Sequence, residues 1–223
     1  MLKLKIEGCE KMDYSAVVLC AGKGSRSGLS YNKMLYRFEQ ETVYEMTMKV
    51  FLQDSRCKQI VVVTKQDELV ELKTLIQDTK ISYVFGGKER QDSVYNGLQA
   101  VNQDIVLIHD GARPYLKKEN IDDLLLCLQD NDACLLMVPV KDTIKLVNEN
   151  TIVETLPRTQ LMQAQTPQAF KTSLIKDCYQ MAKEQNFLAT DDASLVEQFS
   201  KTPVKAVLGS YENIKITTPE DLK

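Results

Sequence analysis

The residues best placed to do chemistry lie in a glycine-rich loop near the N-terminus. Ala16-Val17-Val18-Leu19 is a short apolar run that suits a buried strand. It breaks into Gly22, Gly24 and Gly28, with Lys23 and Arg26 between them and Lys33 just beyond. Glycines let backbone N–H groups approach an anion closely, and the basic side chains add charge to neutralise it. The spacing points to phosphate binding at the end of a first strand. A plain turn with solvated basic residues is the simpler reading, and context must decide. The loop reads GxGxxxG. It lacks the GK[ST] ending of a P-loop and misses GxGxxG by one residue. A dinucleotide fold also wants an acidic residue about 20 residues later, at the end of the second strand. Here the next clear long strand ends near Thr64 and Lys65, too far along and wrong in charge. Hydride transfer is therefore disfavoured.

Other loops carry compatible chemistry. Basic residues on separate loops suit a polyphosphate whose charge must be neutralised as a bond breaks. Lys215 lies inside NIKI, a predicted strand, where a lysine alone normally points to solvent. Asp110 and Arg113 flank Gly111 and Ala112, a turn small enough for a sugar to lie against the backbone. The six cysteines are scattered without a CxxC pair, and His109 is the sole histidine. A zinc site is disfavoured on those counts, and reduced thiols in a cytoplasmic protein are expected. Cys20 sits in the phosphate loop, where a small buried filler is the preferred reading over a reactive thiol.

These loops need a scaffold to bring them together. The 223 residues fit one large domain. Hydrophobic residues make up 43% and charged residues 26%, an ordinary globular balance. A net charge of -3 argues against generic nucleic-acid affinity, and no apolar stretch approaches a membrane span. Met1 to Lys11 reads as a loose leader without an apolar signal region, and Met12 is a possible alternative start. After the loop, Leu35 to Phe38 suits a short strand. Thr42 and Glu45 form a capping-box pattern, followed by Val43, Met46, Val50 and Phe51 at helical spacing. Buried strands are predicted at Gln59–Thr64, Ile81–Phe85, Asp104–His109 and Ala133–Val140, the last leaving the sheet at Pro139. Helical periodicity falls between them at Leu69–Ile76, Val94–Val101 and Ile121–Leu128. Helices are expected again at Ser173–Ala182 and Ala193–Phe199, the latter capped by Thr190-Asp191-Asp192. Val204–Leu208 and Asn213–Ile216 are predicted as closing strands, and Thr218-Pro219-Glu220 opens a last helix.

This alternation predicts a mostly parallel sheet covered on both faces, with ligands at the carboxyl ends of the strands. The loops after Leu19, Phe85 and His109 all fall at such ends. Residues from about 139 to 160 break the rhythm. They read as two strands around Asn148-Glu149-Asn150-Thr151, a hairpin too small to stand alone. A second subunit is the expected partner, and a plain surface excursion is the alternative.

In this order the motifs resemble one family. They are Ala21-Gly22-x-Gly24-x-Arg26, Gly86-Gly87-x-Glu89-Arg90-x-Asp92-Ser93, His109-Asp110-Gly111-Ala112-Arg113-Pro114, Val140-Lys141-Asp142-Thr143-Ile144-Lys145, Thr166-Pro167-Gln168, Thr190-Asp191-Asp192-Ala193-Ser194 and Asn213-Ile214-Lys215-Ile216-Thr217. The pattern, from about Tyr14 to Leu222, is similar to that of 2-C-methyl-D-erythritol 4-phosphate cytidylyltransferases of the nonmevalonate isoprenoid pathway. The resemblance implies an α/β, Rossmann-like, mostly parallel sheet flanked by helices, with a protruding β-hairpin arm, all in a single nucleotidyltransferase domain. It implies transfer of a cytidylyl group from CTP to the sugar-alcohol phosphate, with Mg²⁺ bound mainly through the CTP phosphates. By position, Arg26 and Lys33 would bind the triphosphate and stabilise the pentacoordinate α-phosphorus, helped by Lys215. The backbone at Cys20, Ala21 and Gly22, with Gly24 in the same loop, and at Gly86, Gly87 and Lys88, with the Ser93 hydroxyl, would hold CTP. Gly111 would lie near the ribose. Asp110, Arg113 and Thr166 would meet the sugar alcohol. Thr143 and Arg158 on the arm would reach the partner's substrate in a homodimer. No metal ligand is assigned to the protein, and neither nucleic acid nor membrane is an expected partner. His109 is expected to orient its loop, and Lys23 to be mostly solvated.

The chain departs from the family pattern in places. Leu19-Cys20 stands where Pro-Ala is frequent, Ser27 where Met is usual, and Lys33 is framed by Asn32 and Met34 in place of Pro and Gln. Two rivals frame the reading. One is a ribitol-5-phosphate cytidylyltransferase, against which Gly111-Ala112 and Thr143-Ile144-Lys145 argue. The other is a non-catalytic nucleotide-binding protein, against which Arg26, Lys33 and Lys215 together argue.

Overall fold

Strand β1 (Tyr14–Leu19) is the hinge of the architecture. The computed structural model describes residues 12–22, 24 and 26–222. The leader and Lys23, about which the sequence raised expectations, lie outside these residues. β1 pairs in parallel with β4 (Cys57–Thr64) on one side and β6 (Ile105–Asp110) on the other. Beyond β4 runs β5 (Ile81–Phe85), also parallel. Beyond β6 come β10 (Met162–Lys171), β7 (Ala133–Pro139) and β11 (Lys205–Leu208). The seven-stranded order is β11-β7-β10-β6-β1-β4-β5, and β10 runs antiparallel to both neighbours.

Helices cover both faces, as the near-continuous apolar strands require. On one face Ala16 and Val18 of β1 pack with Tyr44, Met48 and Phe51 of α1 (Val43–Gln53). Ile121, Leu124 and Leu125 of α4 (Lys118–Cys127) join them. On the other face Val17, alternate along the strand, packs with Val94 and Leu98 of α3 (Arg90–Gln99), where α2 is Leu69–Leu75. Ile175 and Tyr179 of α5 (Thr172–Glu184) and Leu195 of α6 (Asp192–Phe199) complete that cluster. The Thr42–Glu45 capping box is present, with Glu45 N–H donating to Thr42 Oγ1 at 3.1 Å and Thr42 N–H to Glu45 Oε2 at 2.8 Å. Asp191 caps α6 by accepting from Ser194 N–H at 3.0 Å.

Three segments differ from the sequence reading. β10 is a ten-residue central strand where the sequence indicated only a loop before a helix. Its polar residues hid it, along with Pro167, which lacks a ladder donor and sits where the pairing register shifts between Ala164 and Gln168. Asn213–Ile216 is not a strand; its single ladder-like contact is Ile216 N–H to Ala112 O at 2.8 Å. Lys215 therefore sits on an irregular strap, residues 209–217, across the carboxyl edge of the sheet. Leu35–Phe38 resolves into a 3-10 turn, Lys33–Leu35, and a two-residue β2 (Arg37–Phe38) paired with β3 (Glu41–Thr42).

The arm is a separate hairpin of β8 (Lys145–Asn148) and β9 (Thr151–Thr155). Glu149 and Asn150 both take positive φ, 44° and 64°, the pattern of a two-residue I′ turn that matches strand twist. Leu146, Val147, Ile152 and Val153 on it are all exposed.

Candidate functional site

β1 is flanked by β4 and β6, so the chain direction of strand addition reverses there. Open α/β sheets bind ligands at the carboxyl edge of this switch point. The register puts Leu19 opposite Asp110, so the glycine loop and the Asp110-Gly111 turn leave the sheet side by side. A cavity of about 820 Å³ opens above them. Its walls come from the loops after β1, β4 and β5, from the end of β6, and from Lys33, Lys215 and Thr217.

Close packing fixes two of the glycines. A Cβ on Gly111 would lie 2.8 Å from Leu19 O and 3.0 Å from Cys20 Sγ. One on Gly86 would lie 2.7 Å from Ala21 Cβ and 2.9 Å from Ser93 Oγ. Any larger residue would force the two loops apart. Ser93 Oγ accepts from Gly87 N–H at 3.0 Å and donates to Glu89 O at 3.1 Å, so it shapes the loop that lines this wall.

Positive charge converges on the opposite wall. Burial depresses the Lys33 ammonium, and nearby Lys215 and Arg26 depress it further, against the attraction of Asp110. Lys33 Nζ donates to Ile216 O at 2.5 Å. Lys215 Nζ lies 2.7 Å from Asp110 Oδ2, and Arg90 Nε lies 3.4 Å from Asp110 Oδ1. Burial pushes the Asp110 carboxyl up, but Arg90 and Lys215 outweigh it and hold it well below the usual carboxylate range. Arg90 is in turn held by a two-pronged pair to buried Asp192, at 2.9 and 2.8 Å. Tyr179 Oη donates to the same carboxylate at 2.5 Å.

His109 is fully buried at the end of β6. Its Nε2 lies 3.2 Å from Arg113 O, and its Nδ1 lies 3.1 Å from Thr166 Oγ1. A carbonyl can only accept, so the proton sits on Nε2 and Nδ1 accepts from the Thr166 hydroxyl. Thr166 Oγ1 accepts in turn from Asp110 N–H at 3.0 Å. Burial, outweighing the pull of Asp110, lowers the His109 pKa to about 4. The ring is neutral and ties β10 to the Asp110–Arg113 turn.

Twelve of the residues singled out in the sequence line this cavity: Cys20, Ala21, Gly22, Gly24, Arg26, Lys33, Gly86, Gly87, Lys88, Ser93, Asp110 and Lys215. Gly111 packs beneath it. Arg113 is turned toward the strap, where Nη1 donates to Asn213 O at 2.6 Å while its buried Nε has no protein partner. Thr166 is buried with its hydroxyl committed between His109 and Asp110. Thr143 and Arg158 lie at the arm, apart from this chain's cavity, and Arg158 Nη1 donates to Lys141 O at 2.6 Å. Cys20 is buried and its thiol is pushed up by burial, as a filler would be. Sequence reasoning did not assign Arg90, Lys65 or Asn32, all on the cavity wall, nor Asp192 behind it. Arg90 and Asp192 stood inside quoted motifs, but a pair 102 residues apart leaves no local signal.

Among the described residues no group of three His, Cys, Asp or Glu side chains is placed to hold a metal ion. None of the described helices is long and apolar enough to cross a membrane.

Comparison with known proteins agrees with this geometry. The family model described as "IspD: 2-C-methyl-D-erythritol 4-phosphate cytidylyltransferase" matches residues 14–223. A protein of Geobacillus kaustophilus named 2-C-methyl-D-erythritol 4-phosphate cytidylyltransferase is 44% identical over 216 residues, covering 95% of this chain and 94% of its own. A Bacillus pumilus protein of the same name is 43% identical over the same shares. Among solved structures, the 4-diphosphocytidyl-2C-methyl-D-erythritol synthase of Anaerococcus prevotii superposes with a TM-score of 0.86 at 32% identity, over 98% of this chain and 95% of that one.

Proposed function

The chain belongs to the 2-C-methyl-D-erythritol 4-phosphate cytidylyltransferase family, and from that premise we infer how its residues divide the work. It is a nucleotidyltransferase of isoprenoid biosynthesis. It transfers a cytidylyl group from CTP to 2-C-methyl-D-erythritol 4-phosphate, giving 4-diphosphocytidyl-2-C-methyl-D-erythritol and pyrophosphate. An oxygen of the sugar phosphate forms a new bond to the α-phosphorus, and the bond to the bridging oxygen of the leaving pyrophosphate breaks.

The observation that carries the division of roles is the convergence of Arg26, Lys33 and Lys215 on one cavity beside two glycine loops. The nucleophile is already an anion, so no strong general base is needed. Catalysis then comes from positioning and from cations aimed at charge that builds on the α-phosphorus. We assign that task to Arg26, Lys33 and Lys215. The loops at 20–24 and 86–88, with Ser93, take the nucleotide, and Gly111, which lets its turn close on Leu19 and Cys20, is assigned to the floor beneath the ribose. Asp110 and Arg113 take the sugar alcohol. Thr166, whose hydroxyl is committed internally, acts by fixing Asp110 through its backbone.

Mg²⁺ has no cage of carboxylates among the described residues, and Asp110 is already neutralised by Lys215 and Arg90. We propose that Mg²⁺ is bound mainly through the phosphate oxygens of CTP, hard donors that this ion prefers, where it would supply additional charge neutralisation. We further propose a single nucleotidyltransferase domain that works as a homodimer through the arm. The exposed apolar residues on the hairpin support this reading, as does the position of Thr143 and Arg158 away from their own chain's cavity. The cytoplasm is the proposed compartment; the five described cysteines are free thiols, as a reducing compartment keeps them.

A pyrophosphate-release assay with CTP, Mg²⁺ and each sugar phosphate in parallel tests the reading. Turnover is expected with methylerythritol phosphate. Turnover with ribitol phosphate alone would overturn the substrate assignment.

A further inference from the structure

We infer that Asn32 is a positioning residue for Lys33, anchored by Glu68; the inference rests on Lys33 acting on the triphosphate. Asn32 is 6% exposed in the cavity wall. Its Nδ2 donates to Cys20 O at 2.9 Å and to Glu68 Oε2 at 2.7 Å. Its Oδ1 accepts from Met34 N–H at 3.1 Å, which caps the 3-10 turn Lys33–Leu35. Both amide donors are used, so none is left for substrate. Cys20 is the first residue past β1, Glu68 follows β4, and Lys33 opens the turn. One carboxamide thus cross-links three separate pieces of the phosphate edge. Lys65 Nζ, 2.8 Å from Glu68 Oε1, holds the carboxylate from its other side.

The need for such a clamp follows from the charges. Lys33 is partly desolvated and faces Lys215 and Arg26. Like charges at this range repel, and a lysine has a flexible four-carbon stem. With a loose backbone the ammonium would swing toward water and away from its neighbours. The contact with Ile216 O holds the tip. The origin of the stem is held by Asn32, whose buried, fully paired amide resists displacement. Misplacement by about 1 Å can cost about 10²-fold in rate, so the clamp sets how well Lys33 meets developing charge.

The test is steady-state pyrophosphate release by Lys33→Ala, Asn32→Ala, Glu68→Ala, Glu68→Gln and the Asn32→Ala/Glu68→Ala double variant. Asn32→Ala is expected to lower kcat by about 10–10²-fold, with KM for the sugar phosphate changed less than about twofold. Glu68→Gln keeps an acceptor for Asn32 and should retain most of kcat, whereas Glu68→Ala should not. The double variant should fall no lower than the worse single, because both act through one clamp. Should Asn32→Ala fail to fold, the contrast between Glu68→Ala and Glu68→Gln reads the same clamp. Losses that multiply in the double variant would overturn the inference. So would an Asn32→Ala enzyme with lowered melting temperature and normal kcat while Lys33→Ala is crippled. Normal turnover by Lys33→Ala would instead remove the role assigned to Lys33 itself.

Discussion

Replacing Lys215 by Met separates the two jobs the structure gives it. Lys215 neutralises Asp110 at 2.7 Å, with Arg90 as the second cation at 3.4 Å. Breaking a fully buried ion pair costs about 3–5 kcal/mol. Here the Lys215 side chain is 37% exposed, so solvent screens part of its charge, and Arg90 stays in place. The expected loss of stability is therefore about 1–2 kcal/mol. For a chain of this size that lowers Tm by about 2–8 °C. Adding Asp110→Asn removes the carboxylate that needed compensation, so the double variant should regain most of the lost Tm. Activity is expected to behave differently. If Lys215 stabilises charge at the α-phosphorus, kcat falls by about 10²–10³ and stays down in the double variant. Asp110→Asn alone is the control: it should raise KM for the sugar phosphate, so kcat is compared at saturating sugar phosphate. Thermal melts and pyrophosphate release supply both readouts. Recovery of kcat together with Tm in the double variant would refute the argument. Lys215 would then serve to neutralise Asp110 and nothing more. An undiminished kcat in Lys215→Met would refute it equally.

The buried ring of His109 gives a pH signature. Its pKa is lowered from 6.5 to about 4, so the unfolded chain takes up a proton before the folded one does. Stability should be complete above pH 6.5 and decline by about 3 kcal/mol on acidification to about pH 4. Urea unfolding across this window should show that slope, and His109→Gln should flatten it; equal slopes would count against a neutral buried ring. The arm offers a complementation test. Arg158→Glu should impair use of the sugar phosphate, and mixing it with an Arg26→Ala chain should restore some activity if Arg158 serves the partner's site. A mixture no more active than its parents would mean each site is built within one chain.

What the sequence revealed and what it concealed have physical causes. Strands β1, β4 and β6 were legible because both faces are buried and apolar residues run nearly unbroken; β5, a half-buried edge strand, was legible from its short apolar and aromatic run. The loops at their ends were legible because close approach demands glycine and small residues, as at Gly86 and Gly111. β10 was concealed because it buries polar residues that hydrogen-bond across the fold. Gln168 takes Ala193 N–H at 2.8 Å and donates to Asp191 at 2.8 Å, while Gln165 donates to Ser210 O at 2.8 Å. A strand used this way looks like a loop to any hydrophobic pattern. The Asn213–Ile216 part of the strap carrying Lys215 reads as a strand in the sequence, yet it is held chiefly by contacts such as Asn213 Nδ2 to Thr166 O at 2.9 Å. β10 and the strap are therefore one feature. β10 is polar because it must hold the strap, and the strap is irregular because it delivers Lys215 and the Ile216 carbonyl to Asp110 and Lys33. A regular hydrogen-bond ladder would have spent the Ile216 carbonyl on a neighbouring strand. The irregular strap leaves it free to hold Lys33 while the Lys215 side chain reaches Asp110 in the same cavity.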